Sequence, residues 1–299
     1  MNQKIITIFI LFSSFISISQ TRYVDRVFDS ISSKTYTYSI RDKDTLKLDV
    51  YQPKNDSILG RPLFVIIHGG GFMKGERNES SLIYLAENVA KKGFVVASID
   101  YRLVKNKFIN CSYPANDKIK VFSNGAEDLL NALQYLVKYK NAFLIDDSKI
   151  ILFGVSAGGE TALNIIYNRD FIIKNKDVYK DIKPAAVISL SGAIFKPDLI
   201  TKENSIPTVL YHGVNDKVVP YDTSSHQSCL PTSPGFLFLS GSKIISEKLE
   251  LNKTSFLLYS YLNKGHDIFN LPNDDFYQAF VFVNRTVFNN KFYQAKITQ

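Results

Sequence analysis

This 299-residue sequence predicts an α/β fold, with a mainly parallel central sheet and helices on both faces. Two observations carry the prediction. Short apolar runs of strand length alternate with longer stretches whose apolar residues recur at helical spacing, and after two opening strands the order is strand, then helix. The loops that hold chemically capable residues also follow the apolar runs. In a parallel sheet those loops gather at the carboxyl ends of the strands, where ligand sites form.

The elements follow in order. Residues 1–19 carry one early lysine, Lys4, then an apolar stretch from Ile5 to Ile18 thinned by Ser13, Ser14 and Ser17. Ser17 and Ser19 make a small-residue cleavage site, so this segment reads as a secretory signal peptide cut near Gln20. It falls short of the roughly 18–20 apolar residues that span a bilayer, so no stable membrane span is expected after cleavage. Residues 20–299 are long enough for one large α/β domain, and neither internal repeats nor a linker divides them. Strands are expected at 35–40 and 46–51, then at 63–68, where Leu63-Phe64-Val65-Ile66-Ile67 reads as a strand buried on both faces.

That third strand runs into His68-Gly69-Gly70-Gly71-Phe72. Three consecutive glycines weaken any regular element, and their use is close approach of the backbone to a reacting group. A helix at 81–92, closed by Gly93, leads to a strand at 95–100 and a second helix at 126–139. Within that helix Asp128 reads as a structural or helix-start carboxylate. The apolar run Ile150-Ile151-Leu152-Phe153 then enters Gly154-Val155-Ser156-Ala157-Gly158, followed by a helix at 157–168. A G-x-S-x-G on a strand-to-helix turn is the setting for a serine nucleophile, with the glycines removing side chains where the backbone doubles back. Ser156 is the candidate nucleophile, and Gly70, Gly71 and Ala157 are the candidate backbone donors to an oxyanion. Glu160, one turn into that helix, either tunes the site or suits the helix N-terminal dipole, and the dipole is the preferred reading.

Further strands are expected at 186–190, 208–212 and 255–262, and a last helix at 274–288. An acid and a histidine should follow the serine in that order. Of the four histidines, His68 precedes Ser156, His212 ends an apolar run as a structural residue would, and His226 lies in a serine-rich stretch with no strand before it. His266, in the loop after the 255–262 strand, is the candidate base. Asp216, in the loop after the 208–212 strand, is the candidate acid, preferred over Asp222 and over Asp198, which reads as a helix cap.

Together these segments resemble the α/β-hydrolase superfamily of serine esterases, within it the hormone-sensitive-lipase-like and bacterial feruloyl-esterase-like carboxylesterases. The matching segments are His68-Gly69-Gly70-Gly71-Phe72, Asp100-Tyr101-Arg102-Leu103, Gly154-Val155-Ser156-Ala157-Gly158-Gly159, His212-Gly213-Val214-Asn215-Asp216 and Gly265-His266. The resemblance implies ester hydrolysis through an acyl-enzyme and a structural role for Asp100-Tyr101-Arg102 beside the glycine loop. Val155 stands where that pattern often carries a carboxylate, and residues 104–124 lack the Ala-Pro-Glu segment that usually follows Tyr-Arg-Leu. Residues 104–124 and 229–242 are expected to set the substrate preference.

Cys111 and Cys229 are the two cysteines, and in an exported chain they form a candidate disulfide. No Cys/His cluster has metal-ligand spacing, and the chemistry calls for no cofactor. The net charge of +8 is spread over scattered lysines without a binding motif or aromatic platform, which argues against nucleic acid as a partner. The sequence therefore predicts a secreted or periplasmic enzyme acting on small or carbohydrate-linked esters. A serine amidase or peptidase on the same scaffold, and a catalytically silent exported binding protein, are the alternatives. The oligomeric state is left open.

Overall fold

The computed structural model describes residues 20–41, 43–269 and 271–299; the expected signal peptide, residues 1–19, lies outside them. Strands β1 (Ile31–Arg41) and β2 (Asp44–Pro53) pair antiparallel, and β2 pairs antiparallel with β4 (Val95–Ile99). Between β2 and β4 in the chain come β3 (Arg61–Ile67) and α1 (Ser80–Ala90). Then follow α2 (Ala115–Lys138), α3 (Lys140–Phe143), β5 (Ile145–Val155), α4 (Ala157–Tyr167) and α5 (Arg169–Ile172). The rest comprises β6 (Ala186–Leu190), β7 (Thr208–Gly213), the short pair β8 (Thr223–Ser225) and β9 (Phe238–Ser240), α6 (Ser242–Leu251), β10 (Phe256–Tyr261), α7 (Asn273–Val283) and β11 (Gln294–Thr298). The main sheet has nine strands in the order β1-β2-β4-β3-β5-β6-β7-β10-β11, parallel from β4 onward.

Strand periodicity explains why the central strands read as unbroken apolar runs. Successive side chains point to opposite faces, so a sheet covered on both faces needs apolar residues at every position. Leu63, Val65 and Ile67 join a core with α2 and α4, whereas Phe64 and Ile66 join a second core with α1 and α7. On the second face Phe64 stacks on Phe153 and Phe280 with ring centroids 5.8 and 6.0 Å apart.

Several boundaries differ from the sequence reading. Helix α2 begins at Ala115, directly after Pro114, well ahead of the expected start at 126, so Asp128 lies mid-helix rather than at its start. Its first half carries Lys118, Lys120, Ser123 and Asn124, which interrupt the apolar period. Asp128 is fully buried, and its carboxylate accepts from the Arg102 backbone N–H and guanidinium, each at 2.8 Å. Helix α7 ends at Val283 and continues as a π turn, Asn284–Phe288. Helix α6 and strands β8, β9 and β11 have no counterpart in the sequence reading; β11 is a short, half-exposed strand that pairs with β10. Asp198 lies in a short 3₁₀ turn and pairs with Lys248 at 2.7 Å.

Cys111 and Cys229 are joined by a disulfide, 118 residues apart in the chain. It ties the segment after β4 to the excursion around β8, and the Gly235 N–H to Cys111 carbonyl bond (2.8 Å) and the Ala115 N–H to Pro234 carbonyl bond (2.9 Å) run beside it. Among the described residues, no helix is long and apolar enough to cross a membrane.

Candidate active site

Four loops at the carboxyl ends of neighbouring parallel strands build the site. The glycine loop follows β3, Ser156 follows β5, Asp216 follows β7 and His266 follows β10. Ser156 adopts φ 53° and ψ −120°, a left-handed conformation unusual for a residue with a β-carbon. Its N–H donates to the Leu190 carbonyl (2.8 Å), and its carbonyl accepts from the Glu160 N–H (2.8 Å). The flanking glycines are needed for contact rather than flexibility. A β-carbon on Gly154 would collide with the Gly158 carbonyl, and one on Gly158 with the Ile67 and His68 carbonyls. Gly158→Ala is therefore expected to cost about 1–3 kcal/mol or more through forced backbone movement, and to displace Ser156. A thermal midpoint and hydrolysis rate equal to those of the parent would refute this account of the turn.

Ser156, His266 and Asp216 lie in one hydrogen-bonded line. The Ser156 hydroxyl is 2.8 Å from His266 Nε2, and His266 Nδ1 is 2.6 Å from Asp216 Oδ2. The other carboxylate oxygen, Oδ1, accepts from the Val218 and Val219 N–H groups at 2.8 and 2.9 Å. His212 Nε2 also faces Asp216 Oδ2 at 3.4 Å. Burial works against ionisation of Asp216, but the hydrogen bonds from His212 and His266 outweigh it and hold the carboxyl well below the usual carboxylate range. His212, expected to be structural, is fully buried, with its ring nitrogens 2.8 Å from the Ser242 hydroxyl and 3.0 Å from the Val219 carbonyl.

Gly70 and Gly71 sit beside Ser156 on the wall of one cleft. Gly70 has φ 108°, and its carbonyl caps a tight turn by accepting from the Met73 and Lys74 N–H groups at 3.1 and 3.2 Å. A β-carbon there would run into the Lys74 backbone. Among the described residues, the Gly70 and Gly71 N–H groups donate to no protein acceptor. Ala157 is the first residue of α4, where the helix leaves its N–H groups free and its dipole positive. Tyr101 braces the loop: its hydroxyl donates to the His68 carbonyl (2.9 Å) and its ring stacks on His68 at 4.2 Å. Arg77 anchors Asp100 at 3.0 Å and Asp49 at 3.1 Å.

The cleft measures about 1170 Å³ and runs from Ser156 between α1 and α7. Its floor and sides include Leu82, Val89, Phe153, Leu190, Phe276 and Phe280. Of the excursion around β8 it touches only Gln227, and of residues 104–124 it touches none. Segments 104–124 and 229–242, expected to set substrate preference, thus do not line this cleft. The walls come from α1 and α7, whose inward faces are legible as apolar residues at helical spacing (Leu82, Ala86 and Val89; Phe276 and Phe280) but read simply as core.

Comparison with known proteins points the same way. The apo form of esterase 2 from Thermogutta terrifontis superposes with a TM-score of 0.61 at 18% identity, covering 88% of this chain and 97% of that one. The BD-FAE family model matches residues 48–194, which include the glycine loop and the serine turn. The chain has the fold of that esterase, and residues 48–194 are similar to the BD-FAE family. Esterase cest-33 of Caenorhabditis elegans is 33% identical over 117 residues, 38% of this chain and 20% of the relative. Esterase P of Drosophila melanogaster is 30% identical over 160 residues, 53% of this chain and 26% of the relative. This chain thus spans about a fifth to a quarter of these curated relatives. The Thermogutta terrifontis enzyme has also been captured with butyrate bound and phosphonylated by sarin.

Two features of the site escape the sequence reading. Glu160, read from sequence as suiting the helix dipole in preference to tuning the site, is buried and faces His226, to which the sequence gives no role. Lys118 is fully buried, with its ammonium 3.0 Å from the Gly235 carbonyl and 3.1 Å from Gln227 Oε1. No local pattern marks a lysine for burial; only the partners that fold over it do.

Proposed function

We propose that this α/β-hydrolase is a serine carboxylesterase. The observation that carries this reading is the Ser156–His266–Asp216 line, at 2.8 and 2.6 Å, opening beside the glycine loop into the cleft. His266 Nε2 takes the hydroxyl proton as Ser156 attacks the ester carbonyl, and Asp216 holds the ring with its Nδ1 proton toward the carboxylate. The N–H groups of Gly70, Gly71 and Ala157 receive the charge that develops on the carbonyl oxygen. His266 returns the proton to the leaving alcohol, which gives an acyl-enzyme. A water deprotonated by the same histidine then releases the acid.

The apolar groove between α1 and α7 favours an ester whose hydrophobic part, an alkyl or aryl group, exceeds acetyl in size, attached to a small or sugar-borne alcohol. Each methylene buried there is worth about 0.8 kcal/mol, so kcat/KM is expected to rise roughly tenfold from p-nitrophenyl acetate to butyrate. A maximum on acetate would show that the groove does not hold the acyl chain. Export is part of the proposal: the disulfide suits an oxidising compartment, and residues 1–19 have the pattern of a signal peptide.

Hydrolysis of p-nitrophenyl esters, with phosphonate labelling followed by peptide mass spectrometry, tests the reading. Ester turnover with label on Ser156 supports it. Label without ester turnover points to amide substrates, and neither label nor turnover points to a silent scaffold.

A further inference from the structure

Behind the Ser156–His266–Asp216 line lies a second acid–histidine pair that the proposed reaction does not use. Glu160 is one turn into α4, and four residues of helix put it about 6 Å along the axis from Ser156. It is 1% exposed, and its Oε1 lies 3.6 Å from Nε2 of His226, itself 4% exposed. Glu160 Oε1 and His226 Nδ1 are both buried without a hydrogen-bond partner among the described residues. Phe122 closes the far side, its ring edge-on to His226 at 5.8 Å.

The charged and titratable groups that face this pair come from four other segments. Lys118 approaches from α2, Tyr101 from just after β4, Asp216 from the loop after β7 and His266 from the loop after β10. Lys118 is the cation among them, and its ammonium is committed to Gln227 and to the Gly235 carbonyl. A carboxylate at Glu160 would thus be desolvated, short of donors and repelled by Asp216. An imidazolium at His226 would be desolvated and repelled by Lys118. Burial, with the Asp216 charge, pushes the Glu160 carboxyl well above the usual range, and burial with Lys118 and His266 pushes His226 down to about 3.

His226 is coupled to the catalytic acid through the chain. The next residue, Gln227, has φ 60°, and its N–H donates to the Val218 carbonyl at 2.7 Å. The Val218 N–H donates to Asp216 Oδ1 at 2.8 Å. Whatever fixes His226 therefore fixes the turn that holds Asp216.

We propose that Glu160 is a positioning residue that acts as a neutral carboxylic acid, packed with Oε1 3.6 Å from Nε2 of an uncharged His226, propping the Gln227–Val218–Asp216 turn and keeping negative charge away from the oxyanion end of α4. The proposal rests on the serine-esterase reading for its kinetic consequence but not for the protonation state. The sign follows from the raised ionisation of Glu160. Burial and the Asp216 charge oppose ionisation, so its charge appears only as pH rises. Once formed, it opposes both the helix dipole and the developing oxyanion, so turnover falls on the alkaline side.

The test compares the pH dependence of kcat and kcat/KM for p-nitrophenyl butyrate in the parent and in Glu160→Gln. At neutral pH the variant should lose at most about tenfold, through the disturbed packing against His226, and should lack the alkaline limb that the parent shows. Glu160→Met, also unable to ionise, must remove the same limb, and it stands in if the Gln variant misfolds. Infrared spectra at neutral pH supply a readout that needs no turnover: the carbonyl stretch of a protonated carboxyl, present in the parent and absent in the variant. The proposal is overturned by superimposable pH profiles, by a parent without an alkaline limb, or by the absence of that band in the parent. The band present with no ester turnover would instead sink the esterase reading and leave the neutral Glu160 standing.

Discussion

Ser156→Ala is expected to lower kcat by at least about 10³-fold, with little change in KM or fold, since loss of a triad nucleophile ranges up to roughly 10⁶-fold. The hydroxyl is the group that His266 Nε2 meets at 2.8 Å, and its replacement leaves the backbone contacts of the turn in place. Alanine keeps the β-carbon at φ 53°, so the strain already present at this position is unchanged. The residual rate then measures what the glycine loop and the cleft contribute without a covalent step. Steady-state hydrolysis checks the size of the loss, and phosphonate labelling checks its cause. A variant that retains a tenth of the parent rate, or still takes the label, would place the nucleophile elsewhere.

Asp216→Asn should be nearly as damaging, roughly 10⁴-fold in kcat, by a different route. Asp216 Oδ1 accepts two backbone N–H groups, from Val218 and Val219, while Oδ2 faces His266. An asparagine must keep its oxygen toward those two donors, which turns its NH₂ group toward His266 Nδ1. The imidazole then carries its proton on Nε2 and faces the Ser156 hydroxyl as a donor, unable to accept its proton. The prediction is checked by kcat with the folded state monitored in parallel, because the carboxylate is also 3.4 Å from the buried His212. Full activity in the Asp216→Asn protein would show that orientation of His266 does not depend on this carboxylate.

How much of this is legible in the sequence follows the range of the interactions. Ile150–Phe153 and Leu63–Ile67 are readable as central strands because a sheet covered on both faces demands apolar residues at every position. The serine turn and the glycine loop are readable because each is fixed by steric demands within a few residues, seen in the collisions a β-carbon would make at Gly154, Gly158 and Gly70. Asp216 and His266 follow from chain order and from their place after strands, and the structure brings both into hydrogen-bonding line with Ser156. The first half of α2 escapes because Lys118 and Lys120 break its apolar period, and β11 because its residues gain strand character only through pairing with β10.

The sequence by itself determined the order of the strands along the chain, the loops that follow them and the residue types that those loops deliver. Those are local properties, set by side-chain periodicity and backbone sterics within each short segment. Tertiary structure alone decided that α1 and α7 wall the cleft, that Lys118 is buried with its charge committed, and that Glu160 meets His226 across distant elements of the chain. The physical reason is that burial, and with it the protonation state of a polar side chain, is set by whichever distant groups pack over it, and nothing in the neighbouring sequence encodes which groups those will be.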